Sequence, residues 1–308
     1  MDYDLIIIGG GPAGIAAGIY AARKKMRTLL IADGLGGQSV VSADIQNWIG
    51  IPSISGFDLA KSMEAHLRAQ EGVVIVDDDL VTGVAKKDDG TFSLATRSGK
   101  TYGARYILLA SGSSHKKLNV PGESTFEGKG VVYCSICDAP LFGGKTVAVV
   151  GGGNSALEAV IDLVPYAAKI YLVVRSEVLK GDPVTQEKVK SHPNVEIIWN
   201  AVTQEVAGAE TVTGIRYQDA KSGEIKDLPV DGVFVEIGLA PNSDFVKDLV
   251  ERDAYGAVKV DGKTQATSCP GIWAAGDVTD VLYKQNNISA GDGIKAVLNI
   301  YDQLKKRS

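Results

Sequence analysis

The stretch Leu5-Ile-Ile-Ile-Gly9-Gly-Gly-Pro-Ala-Gly14 sets the fold of this chain. An apolar run over residues 4–9 meets three glycines spaced G-x-G-x-x-G, and an alanine-rich segment from Pro12 to Arg23 follows. A second apolar run, Thr28 to Ala32, ends at Asp33. Strand, glycine turn, helix and strand make a β-α-β unit, the context that gives such a glycine pattern meaning. Gly9 suits the tight turn, Gly11 lets a pyrophosphate reach the helix N-terminus past Pro12 and Ala13, and Gly14 lets helix pack on strand. Asp33, nineteen residues past Gly14, stands where an acid binds ribose hydroxyls.

The same plan returns further on. Lys145 to Val150 reads as a strand, Gly151-Gly-Gly-Asn-Ser-Ala156 as the turn, residues 155–163 as a helix and Lys169 to Val174 as the next strand. Gly151, Gly153, Asn154, Ser155 and Ala156 are therefore expected to hold a second dinucleotide. Residues 73–111 read as a small antiparallel meander with turns at Asp88-Asp-Gly90 and Ser98-Gly99, returning to a strand at Tyr106–Ala110. Residues 195–235 read as a hairpin-like stretch turning at Gly208 and Ser222-Gly223. Gly271 to Asp277 closes a strand, and Gly291-Asp-Gly293 opens a terminal helix. Polar Pro/Gly segments around Ser113–Glu123 and Leu239–Asn242 read as linkers. The expected architecture is α/β, with two Rossmann-like three-layer domains and the second inserted into the first. The first domain would comprise residues 1–113 and 243–308, and the inserted one residues 114–242.

Glycine is abundant, 36 of 308 residues, against a usual ~7%. Hydrophobic content of 45% and charged content of 22% are those of a soluble globular protein. A net charge of −5 argues against a nucleic-acid partner. No apolar run approaches a membrane span, and the start at Met1 reads as a first strand and not a leader, so a cytoplasmic protein is expected.

Between the two glycine turns lies Tyr133-Cys-Ser-Ile-Cys-Asp138. With only three cysteines and no second cysteine pair or nearby histidine, C-x-x-C points to redox chemistry and not to zinc. One thiolate attacks a disulfide and the other resolves the mixed disulfide. Cys269 reads as a buried free thiol, and His115 as a solvated side chain. No metal site is expected.

Together these residues resemble the low-molecular-weight thioredoxin reductases, and equally the C-terminal portion of the flavoprotein subunit of alkyl hydroperoxide reductase. The motifs are Gly9–Gly14, Gly36-Gly-Gln38, Cys134-Ser-Ile-Cys-Asp138, Gly151–Ala156 and Ala274-Ala-Gly-Asp277. The resemblance implies FAD at the first turn and NADH or NADPH at the second. Gly36, Gly37, Gln38 and Asn47 would line the flavin. Ser111 and Gly112 lie at the position of a Thr-Gly pair, and Gly276 precedes Asp277 at the ribityl or pyrophosphate region. Gln285, flanked by Lys284 and Asn286, would touch the flavin ring. Cys137 would face the flavin, Cys134 would attack the substrate and Asp138 would be the acid/base. The inserted domain would swing on linkers 113–121 and 239–244. The implied partner is thioredoxin or a thioredoxin-like or glutaredoxin-like protein, and the implied assembly a homodimer.

The donor end stays open. Coenzyme choice is read at the end of the second strand, where this chain has Val174-Arg175-Ser176 and then Lys180. The acid that selects NADH is missing, and so is a second arginine for NADPH. Arg175 and Lys180 fit a weakly selective site or a solvated surface. A thioredoxin reductase using ferredoxin or another donor, an FAD-dependent dithiol oxidase and a redox-sensing flavoprotein stand as alternatives.

Overall fold

The computed structural model describes residues 3–42 and 45–306. Met1 and Asp2, on which the expected leaderless start rests, lie outside them. In chain order the strands are β1 Tyr3–Ile8, β2 Thr28–Ile31, β3 Val73–Val76, β4 Val81–Lys86, β5 Phe92–Thr96, β6 Thr101–Leu109, β7 Ser113–His115, β8 Val131–Val132 and β9 Thr146–Val150. They continue with β10 Lys169–Val173, β11 Val195–Ile198, β12 Ala201–Gly208, β13 Val212–Asp219, β14 Ile225–Pro229, β15 Gly232–Val235, β16 Leu239–Pro241 and β17 Ile272–Ala274. The helices are α1 Pro12–Arg23, α2 Gly56–Arg68, α3 Ser135–Asp138, α4 Asn154–Leu163, α5 Pro183–Ser191 and α6 Asn286–Lys306. His115–Leu239 form one compact unit. The stretches Ile45–Ser114 and Ala240 onward, with the chain before Ser42, form the other.

The discontinuous unit is built on a parallel core in the order β3-β2-β1-β6, with β17 also parallel to β6. β4 and β5 extend it as an antiparallel flap from the first half of β6. A parallel sheet buried on both faces needs apolar residues at every position, which explains why β1 does not alternate with polar residues. Leu5 and Ile7 pack under α1 and α6, and Ile6 and Ile8 pack with Phe92, Leu94 and Val258 on the other face. Each such fully buried aliphatic side chain contributes about 1.5–3 kcal/mol.

The continuous unit repeats the plan: β11-β10-β9-β15-β8, all parallel. Val147 and Val149 pack on α4, while Ala148 and Val150 pack against Val206, Ile215 and Tyr217 of the antiparallel meander β12-β13-β14.

Four expectations change. Val73–Val76 is no part of the meander; it pairs in parallel with β2 after the unanticipated crossover helix α2. That helix starts at Ser55, whose hydroxyl caps the Asp58 N–H at 3.0 Å. The hairpin-like stretch is antiparallel only over β12–β14, because Val195–Ile198 and Gly232–Val235 join the parallel sheet. The terminal helix starts at Asn286, so Gly291 and Gly293 lie inside it. A Cβ on Gly293 would meet Ala13 O at 2.2 Å, so this glycine serves the packing of α6 on α1. Residues 115–123, read as a linker, are held by side-chain contacts. The buried Glu123 carboxylate accepts the Leu118 and Asn119 N–H groups at 2.8 and 2.7 Å and the Tyr133 hydroxyl at 3.0 Å. His115 stacks on Tyr133 with ring centroids 5.4 Å apart and is not simply solvated.

Candidate active site: two glycine turns and a cysteine pair

In the discontinuous unit the first glycine turn opens onto a cavity of about 1050 Å³. Gly9, Gly11, Pro12, Ala13, Asp33, Gly37, Gln38, Ser111, Gly112 and Asp277 all line it. The turn is forced by packing. Gly9 has φ +118°, and a Cβ there would lie 2.1 Å from Ala110 O. A Cβ on Gly14 would lie 1.9 Å from Gly9 O, so the helix rests directly on the turn. At Gly11 the nearest atom to an added Cβ is Gly37 Cα at 3.8 Å, and no side chain caps the helix there. An uncapped N-terminus of a twelve-residue helix with open space in front is suited to a phosphate.

The polar lining fits the rest of a flavin dinucleotide. The buried Ser113 hydroxyl has no partner among the described residues, and an orphaned donor in a cavity wall is a group awaiting a ligand or water. Ser289 donates to Asp277 Oδ1 at 3.1 Å, Ser39 to Asn286 Oδ1 at 2.8 Å and Ser111 to Asn242 O at 2.7 Å. Asn242, Asn286 and Ser289, all lining residues, carry no motif of their own and were not anticipated as ligands.

Some expected ligands have other neighbours. Gly36 faces Ala60 of α2, where a Cβ would lie 2.4 Å away, and Gly276 sits against Ala13 and Ser289. Asn47 donates to Gln285 Oε1 at 3.2 Å, and neither is among the residues lining the cavity. Both Asp33 oxygens accept from Arg97, at 3.0 and 2.9 Å, and that guanidinium holds the carboxyl below the usual range. The pair is exposed and screened by solvent, so ribose hydroxyls can compete for the carboxylate.

In the continuous unit Cys134 and Cys137 form a disulfide at the start of α3, with Cα atoms 5.4 Å apart. Cys134 is extended, at φ −139° and ψ 103°, and one helical turn brings Cys137 back to it. The Ser135 hydroxyl donates to Asp162 Oδ2 of α4 at 2.8 Å and ties the turn down. Ile136, between the cysteines, is exposed. Asp138 is only 8% exposed, and burial pushes its carboxyl up to about 6. That value suits an acid that gives and takes a proton near neutrality.

The second glycine turn begins α4, with Gly153 as an N-cap free of any side-chain cap and nothing near an added Cβ. Asn154 Oδ1 accepts the Asp182 N–H at 2.7 Å, and Gly152 O accepts the Lys180 N–H at 2.7 Å. The loop after β10 is thus fastened beside the turn, and its Arg175 and Lys180 side chains are exposed, as is Ser155. Ala156 is buried against the sheet. Sequence reasoning missed Glu236, which follows β15. Its carboxyl is pushed up to about 8, by burial first and then by Asp162 and Glu158, against the pull of the Ser135 N–H. Cys269, in the other unit, is buried and unpaired.

Residues 3–295 match the family model described as pyridine nucleotide-disulphide oxidoreductase. The chain is 43% identical over 310 residues to the F subunit of alkyl hydroperoxide reductase from Pseudomonas putida, covering 99% of this chain and 59% of that protein. It is 42% identical to a Bacillus subtilis protein named NADH dehydrogenase, covering 98% of this chain and 58% of that one. It therefore spans about three fifths of the curated relatives it matches. Among solved structures, thioredoxin reductase from Streptococcus pyogenes MGAS5005 superposes with a TM-score of 0.87 at 34% identity, covering 99% of this chain and 98% of that one. Thioredoxin reductase from Giardia duodenalis superposes with a TM-score of 0.87 at 30% identity, covering 98% and 99%.

Proposed function

Because the chain belongs to the pyridine nucleotide-disulphide oxidoreductases, we propose that it is an FAD-dependent reductase of protein disulfides, passing electrons from NADH or NADPH to thioredoxin or a thioredoxin-like protein. The observation that carries this reading is the Cys134–Cys137 disulfide with the buried Asp138, its carboxyl pushed up to about 6, in the same helical turn. The likeness to thioredoxin reductases and to the F subunit of alkyl hydroperoxide reductase supports a disulfide acceptor. A cytoplasmic location and a homodimeric assembly complete the proposal.

FAD, when bound, supplies the two-electron carrier between nicotinamide and disulfide. Gly11 and the first turn of α1 hold its diphosphate, with Asp277, Ser111 and Gln38 on the cavity wall. Gly153 and α4 hold the coenzyme diphosphate. Arg175 and Lys180 give one guanidinium and one point charge, which fits weak selection between the coenzymes. After reduction Cys134 Sγ attacks the substrate disulfide and expels one substrate thiolate. Asp138 gives that thiolate its proton. Cys137 Sγ then displaces the second substrate sulfur and restores the disulfide.

The test is steady-state oxidation of NADH and NADPH by the flavin-loaded protein with a panel of thioredoxins and glutaredoxins. Oxidation is expected only when a disulfide acceptor is present, and Cys134→Ser lowers it by on the order of 10³-fold or more while FAD stays bound. Peroxide release from small thiols without nicotinamide use would establish a dithiol oxidase instead. Failure of both coenzymes to bleach the flavin would establish another donor.

A further inference from the structure

We propose that Glu236 senses the charge of the nicotinamide ring, ionising beside the oxidised coenzyme and holding a proton beside the reduced one. This rests on the nicotinamide reading of the second glycine turn.

The position of Glu236 follows from topology. In the order β11-β10-β9-β15 the chain starts at β9, builds outward to β11 and then returns to the other side of β9 with β15. The carboxyl ends of β9 and β15 therefore form the switch-point crevice where open parallel sheets take dinucleotides. Gly151 follows β9, and Glu236 follows β15. The two ends are locked together: the Glu236 N–H donates to Val150 O at 2.9 Å, and a Cβ on Gly151 would lie 2.3 Å from Glu236 O. Arg175 and Lys180 mark the β10 side of the crevice. A dinucleotide whose diphosphate rests on α4 extends its other half towards β15.

The side chain is chemically unusual for such a place. Its carboxyl faces the Ser135 N–H of α3 and the carboxylates of Glu158 and Asp162 on α4. Burial and two like charges raise its affinity for a proton, so it is largely protonated near neutrality. An oxidised nicotinamide ring carries a positive charge and a reduced ring carries none. A cation entering the crevice offsets the repulsion from Glu158 and Asp162, lowers the affinity of Glu236 for its proton and releases that proton. Oxidised coenzyme should therefore bind more tightly as pH rises towards about 8 and level off above it, and binding of a neutral ring should not change. Asp138 titrates lower, at about 6, which separates the two groups.

Isothermal titration calorimetry of the oxidised, flavin-loaded protein reads this directly. It would use NAD⁺, NADP⁺ and a redox-inert tetrahydro analogue in buffers of differing ionisation enthalpy. Wild-type protein should release a proton on binding the oxidised coenzymes. Their affinity should rise roughly tenfold for each unit by which the ring lowers the carboxyl's pKa. The analogue should release none. Glu236→Gln, a neutral isostere of the protonated acid, should abolish the release and flatten the pH dependence. Asp162→Asn should keep the release but move it to lower pH. Equal proton release by Glu236→Gln and wild type, or by the analogue and NAD⁺, overturns the inference alone. Failure of every coenzyme form to bind overturns the nicotinamide reading and this inference with it.

Discussion

Helix α1 in the discontinuous unit touches its glycine turn so closely that a methyl group on Gly14 would lie 1.9 Å from Gly9 O. At the matching place in the continuous unit α4 carries Ala156, fully buried with its methyl in the core. Both units share the order of their four core parallel strands, β3-β2-β1-β6 and β11-β10-β9-β15, and one arrangement of strand, turn and helix. They differ in what surrounds the turn. The first turn faces a cavity of about 1050 Å³ walled by serines, asparagines and Asp277. The second has the exposed Arg175 and Lys180 after β10, and the half-buried Glu236 and buried Asp138 as its acids. Under the proposed function, one frame would serve two tasks: the first unit retains a cofactor, while the second presents groups whose charge changes during a cycle.

Exchanging the third small residue of each turn puts that contrast under the greatest strain. Gly14→Ala should cost more than about 2 kcal/mol through overpacking against backbone, and the purified protein should lose its flavin. The flavin-to-protein absorbance ratio checks it, and a fully yellow Gly14→Ala protein would erase the distinction. Asp138→Asn should keep its flavin and lower disulfide-reductase turnover by on the order of 10²-fold.

The same variant should be more heat-stable than wild type above about pH 6. The native carboxyl holds its proton more tightly than the unfolded one, whose value is near 3.8. Its contribution to stability is complete below about pH 4 and is lost as pH rises through about 6. Thermal melts of both proteins across that window check the sign. Ala156→Gly should cost about 2 kcal/mol, from the helix propensity of alanine and the loss of its buried methyl, with flavin content unchanged. Smallest of all, Arg97→Gln should leave the thermal melt close to that of wild type and change FAD affinity by no more than a few-fold, since the pair it breaks with Asp33 is exposed and screened by solvent.

Both β-α-β units and the cysteine pair were legible because their signals are local: an apolar run, glycines at fixed spacing, two thiols a helical turn apart. What escaped was set by distant partners. Val73–Val76 reads alike as a meander strand or a parallel one, and only the α2 crossover decides. Arg97 reaches Asp33 across sixty-four positions. Glu123 looks like a linker acid until its three donors are assembled from residues 118, 119 and 133. Glu236 owes its raised affinity for a proton to burial and then to Asp162 and Glu158 of α4, which does not adjoin it in sequence. Gly291 and Gly293 misled in the other direction: close approach to α1, not a helix start, explains the buried Gly293.

Everything proposed for the catalytic cycle depends on electrons reaching Cys134 and Cys137 through a flavin held by the first unit. Anaerobic addition of NADH or NADPH to the flavin-loaded and flavin-stripped protein, followed by thiol alkylation and mass spectrometry, reads that route. Cys134 and Cys137 are expected to become alkylated only in the flavin-loaded protein, as its yellow colour bleaches. A disulfide that stays intact while the flavin is fully reduced, or one that opens equally without flavin, would contradict it.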